Sequence, residues 1–235
     1  MSDQKKIIVA LDKPNAKQAL ELASTLDAGL CRVKVGKELF TSSGPLVLEK
    51  LHALGFEVFL DLKFHDIPNT VAASVRVAAD LGVWMVNVHA SGGERMMSTA
   101  SEALTLLPAD NKPLLIAVTV LTSMDQAELN QVGVASSVEQ QVLLLGKLAM
   151  QSGCDGVVCS AQEATAITLE LPGLLKITPG IRVAGDDTSD QRRVMTPCKA
   201  VTSGADYLVI GRSVTDSADP VATLERINSD LRMIK

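Results

Sequence analysis

The sequence predicts an α/β fold, a single-domain (β/α)₈ barrel of TIM type over residues 1–235, on three observations. Eight short apolar runs rich in β-branched residues recur along the chain, alternating with stretches whose apolar positions fall at three- and four-residue steps. No linker, low-complexity segment or solenoid-length repeat interrupts the alternation. The chain has 235 residues, a length that single-domain α/β barrels commonly reach. A doubly wound open sheet is the alternative that the same alternation leaves.

The first run, IIVALD at 7–12, precedes helical spacing at 16–26. CRVKVG at 31–36 leads into 44–55, EVFLDLKF at 57–64 into 69–82, and WMVNVH at 84–89 into 94–107. LLIAVTVL at 114–121 comes before the helical pattern at 137–153. GVVCS at 156–160, LLKITPGIR at 174–182 and YLVIGRS at 207–213 complete the eight, and a final amphipathic stretch follows at 220–232. Gly55, Gly82 and Gly153 stand where a helix ends in a left-handed residue.

Composition narrows the function classes. Hydrophobic residues are 47% and aromatics 3%, so the core is Leu, Val, Ile and Ala, which suits parallel strands covered by helices on both faces. Basic residues number 22 against 27 acidic, a net charge of −5 without any basic run, so no nucleic-acid or anionic-membrane partner is expected. Only five apolar residues precede Asp12, too few for a signal core or a spanning helix, and the expected location is cytoplasmic. Cys31, Cys154, Cys159 and Cys198 form no CxxC pair, and His52, His65 and His89 have no zinc-binding spacing. Neither a disulfide nor a Cys/His metal site is expected.

Polar residues crowd the C-terminal ends of the runs: Asp12, Lys34, Asp61, Lys63, His89, Thr119, Ser160, Thr178 and Arg212. In a closed barrel that rim carries the active site. The densest segment is FLDLKFHDIPNT at 59–70, where the two-residue period of a strand puts Asp61 and Lys63 on one face, opposite Leu62 and Phe64. Lys34 lies between two valines in the neighbouring strand, and Asp66 follows just past the strand end. Two carboxylates and two ammoniums are thus expected around one semi-buried point, where neighbouring charges and desolvation shift pKa values. The bland alternatives are an ion-pair network that only holds the barrel mouth and, for Asp66 and Asn69, helix capping.

A second cluster comes from the last two units, ITPGIR at 177–182 and VIGRS at 209–213. Barrels often bind phosphate with the loops after strands seven and eight, and there Gly180 and Gly211 admit an anion to backbone N–H groups while Arg182 or Arg212 forks onto its oxygens. The segment RVAGDDTSDQRR at 182–193 reads as a loop able to close over a bound ligand.

These segments, with VALD at 9–12, VKVG at 33–36, DLKFHDIPNT at 61–70, LTS at 121–123, TPGIR at 178–182, DQRR at 190–193 and VIGRS at 209–213, resemble the orotidine 5′-monophosphate decarboxylase family in its short bacterial form. The resemblance covers essentially the whole chain. It implies conversion of orotidine 5′-monophosphate to UMP and CO₂, without metal or cofactor, through a carbanion at pyrimidine C6. By that likeness Lys63 stabilises and protonates C6, Asp61 lies beside the departing carboxylate, and Lys34 and Asp66 complete the charge network. Asp12 and Lys34 match ribose contacts, Thr122 a pyrimidine contact, and Gln191 a bridge from the closing loop between base and phosphate. Arg182, Gly211 and Arg212 match the phosphate end. The likeness further implies a homodimer with shared active sites, each completed by the partner's counterparts of Asp66, Ile67 and Thr70.

Two other readings share parts of this pattern. One is a Mg²⁺-dependent keto-sugar-phosphate decarboxylase or aldolase with the same D-x-K-x-x-D string; there a cation ligand stands where this chain has Lys34, and an ammonium cannot ligate Mg²⁺. The other is a catalytically silent barrel that only binds a nucleotide.

Overall fold

Strands buried on both faces read as nearly continuous apolar runs, and all eight predicted runs are parallel strands in a computed structural model that describes residues 5–183 and 194–234. They are β1 (Ile7–Ala10), β2 (Arg32–Gly36), β3 (Val58–Phe64), β4 (Met85–His89), β5 (Leu114–Val118), β6 (Gly156–Val158), β7 (Leu175–Ile181) and β8 (Tyr207–Ile210). Each pairs with the next in sequence order and β8 pairs with β1, so the sheet is a closed barrel rather than an open one. Several strands end two or three residues before the apolar run does, because the chain leaves the ladder to build the rim.

The helices are α1 (Ala16–Ala23), α2 (Lys37–Ser43), α3 (Leu46–Ala53), α4 (Pro68–Asp80), α5 (Glu94–Thr105), α6 (Gln126–Gln131), α7 (Val138–Gln151), α8 (Ala164–Glu170), α9 (Pro197–Thr202), α10 (Arg212–Thr215) and α11 (Pro220–Arg232). Five of them, α2, α6, α8, α9 and α10, are four to seven residues long, which is too short for a 3.6-residue period to stand out in the sequence. Side chains fix several starts: Asn15 accepts from Gln18 N–H ahead of α1, and Asp125 with Glu128 and Ser137 with Gln140 form capping boxes at α6 and α7. Gly55, Gly82 and Gly153 end α3, α4 and α7 with φ of 86°, 75° and 78°, the left-handed geometry expected of them.

Strand alternation sorts the core into two layers. Ile7, Val9, Val33, Val35, Val58, Leu60, Val86 and Val88 face the helices, whereas Ile8, Ala10, Phe59, Met85, Ile116, Ile177, Tyr207 and Val209 fill the barrel. The inward row of β2 has no apolar member; it is Arg32 followed by Lys34. Arg32 is buried at the N-terminal end of the barrel, its guanidinium 4.0 Å from the centre of the Trp84 ring and 3.2 Å from a Glu57 carboxylate oxygen. Trp84 in turn meets the Tyr207 ring edge-on at 5.2 Å. This plug fills that end with two edge-to-face rings and a cation paired with Glu57. The opposite end stays open, and the second basic residue of the row, Lys34, lies towards it.

Candidate active site

Lys34 reaches towards the open end from β2, level with Ala10 and Phe59, and Asp61 from β3, two residues past Phe59, and both are buried. Lys34 Nζ lies 3.3 Å from Asp61 Oδ2 and 3.2 Å from Oδ1 of Asp12, which follows β1. Lys63 Nζ lies 2.6 Å from Asp61 Oδ1. The charges therefore alternate in space as Asp12, Lys34, Asp61, Lys63. Burial alone would raise the Asp61 pKa, but the ammoniums of Lys34 and Lys63 and hydrogen bonds from Lys63 and Asn87 outweigh it and hold the carboxyl below its ordinary range. For Lys34, burial opposes the charged form while Asp61 and Asp12 favour it more strongly, so its pKa is raised.

The local backbone at Lys63 departs from a regular strand. Leu60 pairs with Val86, yet Phe64 pairs with Val88, so β3 carries two extra residues against β4. Lys63 has φ of 53°, a left-handed conformation that costs a residue with a side chain about 1–2 kcal/mol. Its N–H donates to Asn87 Oδ1 at 2.7 Å, and Asn87 Nδ2 donates to Asp61 Oδ1 at 2.7 Å. Asn87 is fully buried on β4. Leu62 and Phe64 pack against the outer core, so the two faces expected from strand alternation exist, although a bulge rather than regular pleating produces them.

A cavity of about 670 Å³ opens above this network. Asp12, Lys34, Asp61, Lys63, Thr122, Arg182, Gly211 and Arg212 all line it, so eight of the twelve residues to which the resemblance gives a site role converge. Lys13, Ser123, Gly180, Thr215 and Asp216 also line it. Gly180, with φ of 78°, sits where the register of β7 shifts against β8, and α10 begins at Arg212 directly after Gly211. The two arginines and two glycines thus gather at the end of the cavity next to β7 and β8. Gln191 and most of the expected closing loop lie outside the described residues.

Three predicted residues do not enter that cavity. Asp66 and Ile67 border a separate hollow with His65, Pro68, Gly92, Arg95 and Met96, and Thr70 borders an apolar groove with Phe40, Leu62, Phe64 and Val77. The expectation that Asp66 is the second carboxylate of its own chain's cluster is corrected: that position is filled by Asp12. Asp66 is exposed, and its Oδ1 accepts from the adjacent Ile67 N–H at 2.6 Å, an arrangement that does not cap α4. Three rim residues are also spent elsewhere. Thr119 and Thr178 donate to the carbonyls of Val158 and Tyr207, and the Ser160 hydroxyl accepts from Gln162 N–H.

Asn87 is the residue that sequence reasoning missed. Its signal was present in WMVNVH, a lone amide between two valines on a buried strand, in the same parity as His89. His89 is half-buried at the end of β4, with its ring centre 5.7 Å from that of His65.

Among the described residues no group of three or more His, Cys, Asp or Glu side chains is placed to hold a metal ion, and no helix is long and apolar enough to cross a membrane. The sequence model of the Orotidine 5′-phosphate decarboxylase / HUMPS family matches residues 5–227. The chain is 58% identical over 235 residues to an orotidine 5′-phosphate decarboxylase of Marinomonas sp. (strain MWYL1), covering all of both chains. It is 58% identical over 226 residues to one from Chromobacterium violaceum, covering 96% of this chain and 91% of that protein. The crystal structure of orotidine 5′-phosphate decarboxylase from Lactobacillus acidophilus superposes with a TM-score of 0.85 at 39% identity, covering 97% of this chain and 99% of the other.

The His89 environment gives a pH prediction. Burial, then the charges of His65, Lys37 and Lys63, push its pKa down to about 4, from a usual value near 6.5. Between those values the unfolded chain binds a proton that the folded chain does not, so stability falls as pH drops through this window. An NMR titration should place the His89 midpoint near 4, and His89→Gln should flatten the pH dependence of stability there. A midpoint near 6.5 would contradict the described packing.

Proposed function

The chain belongs to the orotidine 5′-phosphate decarboxylase / HUMPS family, and we propose that the cavity at the open end of its barrel is where it converts orotidine 5′-monophosphate to UMP and CO₂. The observation that carries this reading is the Lys63 ammonium, held 2.6 Å from a buried carboxylate and lining a cavity whose other end gathers Arg182, Gly211 and Arg212.

In the reaction the bond from C6 to the carboxylate breaks and its electron pair stays on C6, in an orbital of the ring plane. An ammonium already fixed beside C6 stabilises that charge without reorganising, and it then gives a proton to C6. The neutral amine regains its proton from water. Asp61 holds Lys63 in place, and its role is to orient the ammonium. Lys34, paired with both Asp12 and Asp61, keeps Asp61 ionised and brings its ammonium and the Asp12 carboxylate towards the ribose hydroxyls. Thr122 contacts the pyrimidine, Gln191 bridges base and phosphate, and the two arginines with Gly211 take the phosphate, whose remote binding energy helps organise the site.

No metal or cofactor enters this scheme. Both oxygens of Asp61 and one of Asp12 accept from ammoniums, a donor set that suits neither Mg²⁺ nor the sugar-phosphate chemistry that depends on it. The protein acts as one domain in a homodimer in which Asp66, Ile67 and Thr70 serve the neighbouring site. The exposure of all three outside their own cavity, Thr70 beside an apolar groove and Asp66 and Ile67 beside a second hollow, supports that arrangement. Four free thiols, three of them buried, suit the reducing cytoplasm.

Turnover of orotidine 5′-monophosphate, followed as UMP formation with EDTA present, tests the activity. The unsubstituted protein should be active and unaffected by chelator, while Lys63→Ala should keep UMP binding but lose nearly all turnover. Retention of more than about a tenth of turnover, a barrier change of only ~1.4 kcal/mol, would remove Lys63 from its role.

Subunit mixing tests the shared site. Lys63→Ala and Asp66→Asn homodimers should each be nearly inactive. Random exchange makes half the dimers mixed, each with one intact site, so about a quarter of the unsubstituted specific activity should return. No recovery despite demonstrated exchange would show that Asp66 acts within its own subunit.

A further inference from the structure

The ammonium of Lys63 ends a side chain with four rotatable bonds, and its carboxylate partner fixes only the tip. The root is unusual as well. Where β3 leaves its register with β4, the backbone turns left-handed at a residue that is neither glycine nor asparagine. Such conformations persist where the surroundings over-determine them.

Asn87 meets both ends of this problem. Its Oδ1 accepts from the backbone N–H of Lys63 and its Nδ2 donates to Oδ1 of Asp61, both at 2.7 Å, and that same Asp61 oxygen accepts from Lys63 Nζ at 2.6 Å. The four groups close a ring: lysine backbone, amide, carboxylate, ammonium. Asn87 is fully buried and is not among the residues that line the cavity, so its amide does not face a ligand there.

We infer that Asn87 is the positioning residue of the proton donor, tying the bulged backbone of Lys63 to the carboxylate that holds its ammonium. The inference rests on the decarboxylase reading of this site. A carboxamide is the side-chain group of this size that offers one acceptor and one donor without a charge. Aspartate would turn a second acceptor towards Asp61, and leucine would offer neither bond. With the ring closed, root and tip of Lys63 are both referenced to β4, and the ammonium is placed before substrate arrives. Because the amide acts through Lys63, its loss should reach the chemical step and spare ground-state binding.

The test uses Asn87→Leu and the near-isosteric Asn87→Asp, with kcat on orotidine 5′-monophosphate, UMP affinity and thermal unfolding measured together. Both variants should lose about 100-fold or more in kcat, the order expected when a reacting group is displaced by about an ångström, with UMP affinity within about threefold of the unsubstituted protein. Exchange of the C6 hydrogen of UMP for solvent deuterium, which runs through the same proton transfer, should fall alongside kcat. If kcat stays within about fivefold in either folded variant, or kcat and UMP affinity fall in parallel, Asn87 is structural and the inference is overturned. Should neither variant fold, the unsubstituted protein decides: slow hydrogen exchange at the Lys63 amide supports the ring, and exchange as fast as in exposed turns overturns it. No turnover by the unsubstituted protein would overturn the decarboxylase reading and this inference with it.

Discussion

A carboxylate placed where a barrel closes over its apolar floor loses most of its hydration, and Asp61 is tolerable there only because three N–H donors surround it. Lys34 takes one oxygen, and Lys63 and Asn87 share the other. Deleting one partner of a buried pair leaves an uncompensated charge at a cost of roughly 3–5 kcal/mol, so each of these residues constrains the others. The left-handed turn at Lys63 belongs to the same network, since the backbone N–H of Lys63 donates to the Asn87 amide that also bonds Asp61. Replacing the network with apolar side chains would sacrifice little stability. Stability alone therefore does not account for the network.

The two ends of the barrel show how one row of side chains is put to different uses. Arg32 and Lys34 alternate inward from the same strand. Arg32 meets aromatic faces and Glu57 and fills its end, whereas Lys34 meets only carboxylates, one of them exposed, below an open cavity. Planar guanidinium stacks on rings; a compact ammonium does not fill space. The closed end anchors the strands whose other ends carry the buried charge network. At the far side of the cavity Gly180 and Gly211 thin the backbone beside two arginines, so these cations stand at the ends of β7 and β8 while the lysine is carried by β3 of the same closed sheet.

The fold was readable because each of its rules is local: β-branched runs, helical spacing and terminal glycines all act within about a dozen residues. The site was readable in part for the same reason. Strand parity paired Asp61 with Lys63, and the last two units supplied the arginines. What escaped depends on neighbours far along the chain. The bulge at Lys63 is set by pairing with β4, and nothing within DLKFHD announces it. Asp66, only three residues after Lys63, looked like a member of the same cluster, yet the exit of the strand carries it to another hollow while Asp12 fills the place. Thr119 and Thr178 lie at the rim by sequence, but their hydroxyls satisfy carbonyls of adjacent strands. Asn87 escaped because both of its partners are more than twenty residues away along the chain.

The proposed decarboxylation requires Lys63 to be aimed at C6 of a nucleotide whose phosphate lies between Arg182 and Arg212. A crystal structure of the protein with UMP bound measures that placement directly. The expected result is C6 at roughly 3–3.5 Å from Lys63 Nζ, the separation of groups poised to react, with the phosphate against Gly211 and the two arginines. A phosphate bound there with C6 more than about 5 Å from Lys63 Nζ, beyond reach of proton transfer, would contradict the role given to the buried charge network.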